Sequence, residues 1–186
     1  MIPISRIIFL TGPPRVGKTT IVIQVAERLR RLGYKVGGMI SQEIREHGRR
    51  VGFKVVDLGK GREGVLAHIN QSHGPRVSKY RVNLRDLEEI GVKAIERALD
   101  EDDVVIIDEV GKMELFSRKF VEVVERALRS GKPVLGTVHL RSFHPLARKI
   151  REGRVPNSKV IVVSLKNRER LAEEIFKELL SSLKRQ

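Results

Sequence analysis

Nine residues near the start of the chain have the spacing of a phosphate-binding loop. The run Gly12-Pro13-Pro14-Arg15-Val16-Gly17-Lys18-Thr19-Thr20 fits the pattern GxxxxGK[ST]. In this pattern the glycines allow close backbone approach, the Lys18 ammonium reaches the β- and γ-phosphates, and the Thr19 hydroxyl ligates Mg²⁺. Thr20 repeats the hydroxyl and is expected to pack or cap. The loop therefore predicts a nucleotide ligand that binds together with Mg²⁺.

The flanking residues supply the setting that this loop needs. The apolar run Ile7-Ile8-Phe9-Leu10 precedes it as a buried strand, and apolar residues at helical spacing follow it. A helix that begins at the loop points free N–H groups and its positive dipole end at the phosphates. A chance match in an ordinary surface turn is therefore the weaker interpretation.

An acidic pair follows a second apolar run. Asp103 to Asp108 is unalternated and rich in β-branched residues, as in a central strand of a parallel sheet, and Glu109 comes next. Asp108 suits a second Mg²⁺ contact, while Glu109 can orient or deprotonate an attacking water. Asp108 follows Lys18 by 90 residues, which leaves room for several intervening elements. Together with Glu109, this separation indicates the branch of phosphate-loop proteins in which an extra strand lies between the loop strand and the acidic strand.

Further contacts to phosphate are expected on and just after the strand over Val134 to His139. Thr137 and His139 can sense the γ-phosphate from a strand next to the acidic one, although packing or capping roles explain them equally well. Arg141 is a candidate cation for the same phosphate. Further candidates in the next segment are Arg148, Lys149, Arg151 and Arg154. Most of these candidates are expected to be solvated, because Leu146 and Ile150 give the short helix there an inward apolar face.

The remaining elements alternate between strand and helix. A hairpin over Val36 to Ile44 and Val51 to Leu58 follows the first helix, and a short strand is expected over Val65 to Ile69. Asn83 is predicted to cap a second helix, and Ser117 a third. The alternation predicts an α/β fold, with a mostly parallel sheet covered by helices on both faces.

Composition narrows the class of protein. A chain of 186 residues suits a single domain over residues 1–186, and the absence of cysteine excludes disulfides and thiolate chemistry. The net charge of +14 makes nucleic acid a possible partner. This partner is not favoured, because the basic residues are scattered along the chain and aromatic residues, which could stack on bases, make up only 4% of it. The sequence has no apolar run of membrane-spanning length, so we expect a cytoplasmic protein that does not bind a membrane. We also expect no obligate protein partner.

Five segments together resemble one family of phosphate-loop proteins. They are TGPPRVGKTT, GGMISQEIREHGRRVGF, RVSKYRV, VVIIDEVGKMEL and GTVHLR, and the similarity spans nearly the whole chain. The chain is similar to the small nucleoside-triphosphatases of thermophiles, the family that includes the vertebrate cancer-related nucleoside-triphosphatase. The resemblance implies a RecA-like fold and Mg²⁺-dependent hydrolysis of ATP, GTP and other nucleoside triphosphates to diphosphate and phosphate. It places the family loop on Gly12 to Thr20 and the acidic pair on Asp108 and Glu109.

Arg15 departs from the resemblance, because the family loop usually has glycine at this position. If the backbone there needs a positive φ, a non-glycine residue is strained by about 1 kcal/mol or more. Otherwise Arg15 projects into solvent, the favoured expectation, or folds over the phosphates as an extra cation.

Two other functions compete with hydrolysis. A nucleotide or nucleoside kinase would use the arginine-rich stretch from Arg141 to Arg154 as a lid, but a water-activating Glu109 argues against an enzyme that must exclude water. Transfer of label from ATP to a nucleoside or monophosphate would identify a kinase. A nucleotide-dependent switch that binds nucleic acid or protein through its basic surface is the second alternative.

Overall fold

Nine strands form one sheet in the computed structural model, which describes residues 5–184. The strands are β1 (Ile7–Thr11), β2 (Val36–Glu46), β3 (Arg49–Asp57), β4 (Glu63–His68), β5 (Arg76–Val77), β6 (Tyr80–Val82), β7 (Val104–Val110), β8 (Val134–Val138) and β9 (Ser158–Val162). Their spatial order is β5-β6-β4-β3-β2-β7-β8-β1-β9.

The helices connect these strands in the alternation that the sequence predicts. They are α1 (Lys18–Arg31), α2 (Leu84–Asp86), α3 (Lys93–Glu101), α4 (Arg118–Arg129), α5 (Pro145–Arg151) and α6 (Arg168–Leu183), with a π-helical segment over Leu87–Val92 and a 3₁₀ turn over Glu114–Phe116. None of the helices within residues 5–184 combines the length and the apolar character needed to cross a bilayer.

The sheet is parallel in the half that carries the site. Strands β2, β7, β8, β1 and β9 run parallel, and β8 lies between β1 and β7. The predicted extra strand between the loop strand and the acidic strand is therefore confirmed. Because the strands are parallel, the loop after β1 and the acidic pair on β7 lie at the same edge of the sheet.

The other half of the sheet is antiparallel and larger than the predicted hairpin. Strands β3, β4, β6 and β5 extend it beyond β2. The hairpin and β4 were expected, but the sequence analysis missed β5 and β6, which are two and three residues long.

Successive residues of the parallel strands face two separate apolar cores. On β1 and β7, Phe9 and Ile107 face a core shared with α3, α4 and α5, whereas Ile8 and Ile106 face a core shared with α1 and α6. The unalternated apolar runs of the sequence are explained by this burial on both faces. The predicted covering of the sheet by helices on both faces is thus confirmed.

The helix caps agree with the sequence predictions. The side chain of Asn83 accepts a hydrogen bond from Asp86 N at 3.0 Å, and that of Ser117 accepts one from Phe120 N at 3.1 Å. Gly33 follows α1 with a φ of 91°, the left-handed conformation typical of a helix C-terminus. These caps fix where the helices begin and end relative to the sheet.

Candidate active site

The phosphate loop folds tightly between β1 and α1. Gly12 and Gly17 have φ values of 140° and 114°. A Cβ atom at Gly12 would lie 2.7 Å from the backbone oxygen of Val163, in the connection between β9 and α6. Glycine is therefore required at Gly12 both by its backbone conformation and by its close neighbour.

Lys18 is the first residue of α1, and its side chain folds back over the loop. Its Nζ donates hydrogen bonds to the carbonyl oxygens of Gly12 and Pro13, at 2.8 and 2.9 Å. Burial lowers the pKa of Lys18, while the nearby carboxyl groups of Glu109 and Asp108 act in the opposite direction. The loop thus presents the ammonium group next to the acidic end of β7.

Asp108 is buried at the carboxyl end of β7, with 2% of its surface exposed. Its Oδ2 accepts a hydrogen bond from Thr19 Oγ1 at 2.8 Å, and its Oδ1 accepts one from Thr137 Oγ1 at 2.6 Å. Burial raises the pKa of Asp108, and the two threonine hydroxyls partly offset this by stabilising the carboxylate. The contact between Thr19 and Asp108 joins the two residues predicted to hold Mg²⁺. Hydroxyl and carboxylate oxygens are suitable ligands for this cation, so the residues fit it.

Glu109 lies next to the buried Asp108 and is itself partly buried. Burial, and secondarily the charge of Asp108, raises the pKa of Glu109 from 4.5 to about 7. Glu114 is 4% exposed, and burial followed by the charge of Glu109 raises the pKa of Glu114 well above its ordinary value. A Cβ atom at Gly111 would lie 2.7 Å from Glu114 Oε2 and 3.3 Å from Glu109 Cδ, so the two carboxyl groups flank this glycine.

The three candidate phosphate sensors differ in position. Thr137 is buried and bonded to Asp108, which places it in the site. His139 is partly buried, and its Nδ1 accepts a hydrogen bond from Arg141 N at 3.0 Å, a bond within the loop after β8. Burial, reinforced by Lys112 and other cations, lowers the pKa of His139. Arg141 itself is exposed.

Arg148, Lys149 and Arg154 are exposed, as expected for most of the basic residues in this segment, whereas Arg151 is partly buried. Its guanidinium donates to the carbonyl oxygens of His139 and Ser142, each at 3.0 Å, and so braces the loop after β8. Thr20 is exposed, and the cap of α1 is Gly17, so the expectation that Thr20 packs or caps is wrong.

Arg15 has the positive φ that the sequence analysis considered. Its φ is 61°, and its side chain is 63% exposed, in agreement with the favoured expectation of projection into solvent. The exposed side chain also has a partner, since its Nε lies 3.6 Å from Oε1 of Glu43 on β2.

The sequence analysis missed Glu114 and the role of Glu43. Glu114 follows Asp108 by six residues, beyond the strand end, and a strand pattern carries no signal for it. Glu43 on β2 pairs with Arg45 of the same strand and with Arg50 of β3, and it also lies beside Arg15 of the phosphate loop. Its position beside the loop depends on the length and twist of the hairpin.

The fold and the loop define a phosphate-loop nucleotide-binding protein of the α/β class. A family model described as NTPase matches residues 7–176, and the chain belongs to this family. The family resemblance of the sequence is confirmed.

Curated relatives and solved structures cover almost the whole chain. A protein of Methanocaldococcus jannaschii named nucleoside-triphosphatase THEP1 is 44% identical over 95% of this chain and 99% of its own length. The protein of that name from Thermofilum pendens is 49% identical, over 95% and 96% of the two chains. The crystal structure of THEP1 from Aquifex aeolicus matches with a TM-score of 0.81 and 34% identity, over 93% and 98%. The solution structure of a human cancer-related nucleoside triphosphatase matches with a TM-score of 0.77 and 36% identity, over 96% and 99%.

Proposed function

We propose that this protein hydrolyses nucleoside 5′-triphosphates to the diphosphate and phosphate, with Mg²⁺ as cofactor. The observation that carries the proposal is the buried Asp108, bonded to Thr19 of the phosphate loop and adjacent to Glu109. Family membership and relatives named nucleoside-triphosphatase support the same reaction. The family resemblance further supports broad base tolerance that includes ATP and GTP. A nucleotide substrate favours a cytoplasmic location.

The residues of the loop bind and orient the triphosphate. Lys18 and the N–H groups at the start of α1 neutralise and fix the β- and γ-phosphates. Thr19 and Asp108 would hold Mg²⁺, which supplies positive charge to the phosphate oxygens when bound. Thr137 holds the Asp108 carboxylate in position through its hydrogen bond.

Glu109 is the proposed general base. Its carboxylate accepts a proton from a water molecule while the water oxygen attacks the γ-phosphorus and the bond to the β-phosphate oxygen breaks. A pKa of about 7 lies near neutral pH, which suits a group that must take up and release a proton. Burial beside Asp108 is thus the physical cause of a property that the reaction needs.

The substitution Glu109→Gln tests this role. It keeps the size of the side chain and removes its basicity, so we expect nucleotide affinity to persist while turnover falls by roughly 10²- to 10⁴-fold. Phosphate release measures turnover, and calorimetric titration with a non-hydrolysable ATP analogue measures binding. Glu96→Gln, at an exposed position on α3, is the matched control and should retain full turnover. Near-normal turnover of Glu109→Gln would remove Glu109 from the role of base.

The metal site is tested by titrating Mg²⁺. Thr19→Ala and Asp108→Asn each remove one proposed oxygen ligand, so we expect the Mg²⁺ concentration for half-maximal phosphate release to rise by at least about tenfold. Removal of Mg²⁺ with a chelator should abolish turnover in the unchanged protein and addition should restore it. Turnover that is independent of Mg²⁺ would contradict the proposed cofactor.

A further inference from the structure

The ion pair between Arg15 and Glu43 crosses the proposed site. The phosphate loop follows β1, whereas Glu43 lies on β2, three strands away in the order β2-β7-β8-β1. Three strand spacings correspond to about 14 Å. The ladder between β2 and β7 ends at the pair Met39–Ile107, and β2 continues beyond it to Glu46. The hairpin therefore projects past the edge of the sheet at which Asp108 and Glu109 lie.

Glu43 is anchored on the hairpin by two other arginines. Its Oε2 accepts hydrogen bonds from Arg45 at 2.6 and 2.9 Å, and its Oε1 accepts one from Arg50 at 3.0 Å. Arg50 is in turn fixed by Tyr80 Oη at 2.9 Å and by the Phe53 ring, whose centroid is 5.0 Å away. The carboxylate is thus held in place without any contribution from Arg15.

Arg15 is the loosely held member of this group. Its distance of 3.6 Å to Glu43 is longer than those of Arg45 and Arg50, and 63% of its side chain is exposed. Three guanidinium groups share one carboxylate, which leaves an excess of positive charge beside the phosphate loop. The positive φ of Arg15 is a strained conformation for a non-glycine residue, and such strain recurs at functional sites.

We propose that Arg15 is a catalytic residue of this triphosphatase. In the transition state its side chain moves away from Glu43 and contacts the terminal phosphoryl group. Its guanidinium would stabilise the charge that develops on the phosphoryl oxygens, as a cation supplied in cis. Glu43 is a positioning residue that holds Arg15 beside the phosphate loop until the guanidinium moves to the phosphoryl group. The inference rests on the proposed function and adds a residue outside the consensus of the loop motif.

Steady-state kinetics of four variants with MgATP test the proposal. Because the contact forms in the transition state, Arg15→Ala should lower kcat by about 10²-fold and leave KM within about threefold. Arg15→Gly suits the positive φ and should show the same loss in a fully folded protein. Arg15→Lys should recover only part of the rate, since an ammonium lacks the planar fork of guanidinium. Arg49→Ala removes an exposed cation from the β2–β3 hairpin that carries Glu43 and should leave kcat unchanged.

Two further measurements separate catalysis from a structural role. ADP with aluminium fluoride and Mg²⁺ imitates the transition state, so Arg15→Ala should weaken its binding by at least about tenfold while ADP alone binds normally. Glu43→Gln should lower kcat by about tenfold, since Arg15 remains but loses its holding charge. Thermal unfolding checks that each variant is folded.

The outcomes distinguish this inference from the proposed function. If Arg15→Ala and Arg15→Gly keep kcat within about threefold while Glu109→Gln is inactive, the inference is overturned and the proposed function stands. An equal loss in Arg49→Ala would also overturn it, because the effect would then be one of general charge. If the unchanged protein releases no phosphate from nucleoside triphosphates with Mg²⁺ present, the proposed function fails and the inference fails with it.

Discussion

Glu109 combines the proposed chemistry with a cost to stability. Its pKa is raised from 4.5 to about 7, mainly by burial and further by Asp108, so the folded protein holds a proton that the unfolded chain releases. Between these two values the folded state binds more protons than the unfolded state. The free energy of unfolding therefore falls as the pH rises through this range, and the loss is complete above about pH 7.

Glu109→Gln should flatten this pH dependence. The variant has no carboxylate to bury, and it also removes the repulsion between Glu109 and the carboxylates of Asp108 and Glu114. Both changes stabilise the folded protein at high pH. At pH 8 we expect it to be more stable than the unchanged protein by about 2 kcal/mol, and at pH 4 by little. Urea unfolding at the two pH values measures the difference. An identical pH dependence in both proteins would show that Glu109 is not buried as an acid.

Among single residues, those fixed by local rules could be predicted from the sequence. Gly12, Lys18 and Thr19 follow from the spacing of the loop, and Asp108 from its place after an apolar strand. Glu114 could not be predicted, because its burial depends on a turn that folds back beside Glu109. The partner of Arg15 could not be predicted either, since Glu43 approaches it through the tertiary structure of the hairpin.

At the scale of elements, the helix before β7 shows how an irregularity is encoded. Its inward-facing residues include Leu87, Ile90 and Ile95, and the step from Ile90 to Ile95 is one residue longer than an α-helix favours. The π-helical segment over Leu87–Val92 takes up this extra residue and keeps all three in one core. The sequence predicted one helix after Asn83, and the change of helix type within it went unrecognised.

Strands β5 and β6 show the opposite case. They are short, and Arg76, Arg81 and Lys79 interrupt their apolar residues, so neither periodicity nor length marks them in the sequence. They form because β4 offers an open edge, and Tyr80 and Val82 are buried when they pair there. An element that depends on a neighbouring strand cannot be recognised from its own pattern.

The junction between β2 and β7 gives a test at this scale. Gly38 on β2 has a φ of 116°, and a Cβ atom there would lie 2.0 Å from the backbone oxygen of Ile106. Gly61 has a φ of 71°, but a Cβ atom there would meet nothing within 4 Å. Gly61→Ala should therefore cost about 1 kcal/mol for its backbone conformation alone, and Gly38→Ala should cost at least about 2 kcal/mol more. Chemical denaturation measures both, and equal losses would show that the junction yields to the added methyl group.

At the scale of the whole molecule, the sequence predicted the α/β class and the covered parallel sheet because both follow from alternating apolar patterns. The arrangement of one domain over residues 1–186 stays a prediction. The described residues contribute to a single nine-stranded sheet, which is consistent with it. A single cooperative unfolding transition, with the same midpoint by circular dichroism and fluorescence of a bound dye, is what one domain would give.

The net charge of +14 also concerns the whole molecule, because it could attract nucleic acid. Positive charge is distributed over the molecule, and several cations pair with a carboxylate one helical turn away, as in Arg85–Glu89, Arg118–Glu122 and Arg170–Glu174. A scattered and partly neutralised charge attracts a polyanion weakly and without a fixed orientation.

We therefore expect a labelled uridine oligomer to bind at low salt and to lose at least about tenfold in affinity between about 50 and 200 mM salt. Phosphate release should be the same with and without the oligomer at each salt concentration, because an unoriented polyanion has no route to Glu109. Stimulation of hydrolysis that persists at the higher salt would instead support the alternative of a switch controlled by nucleic acid.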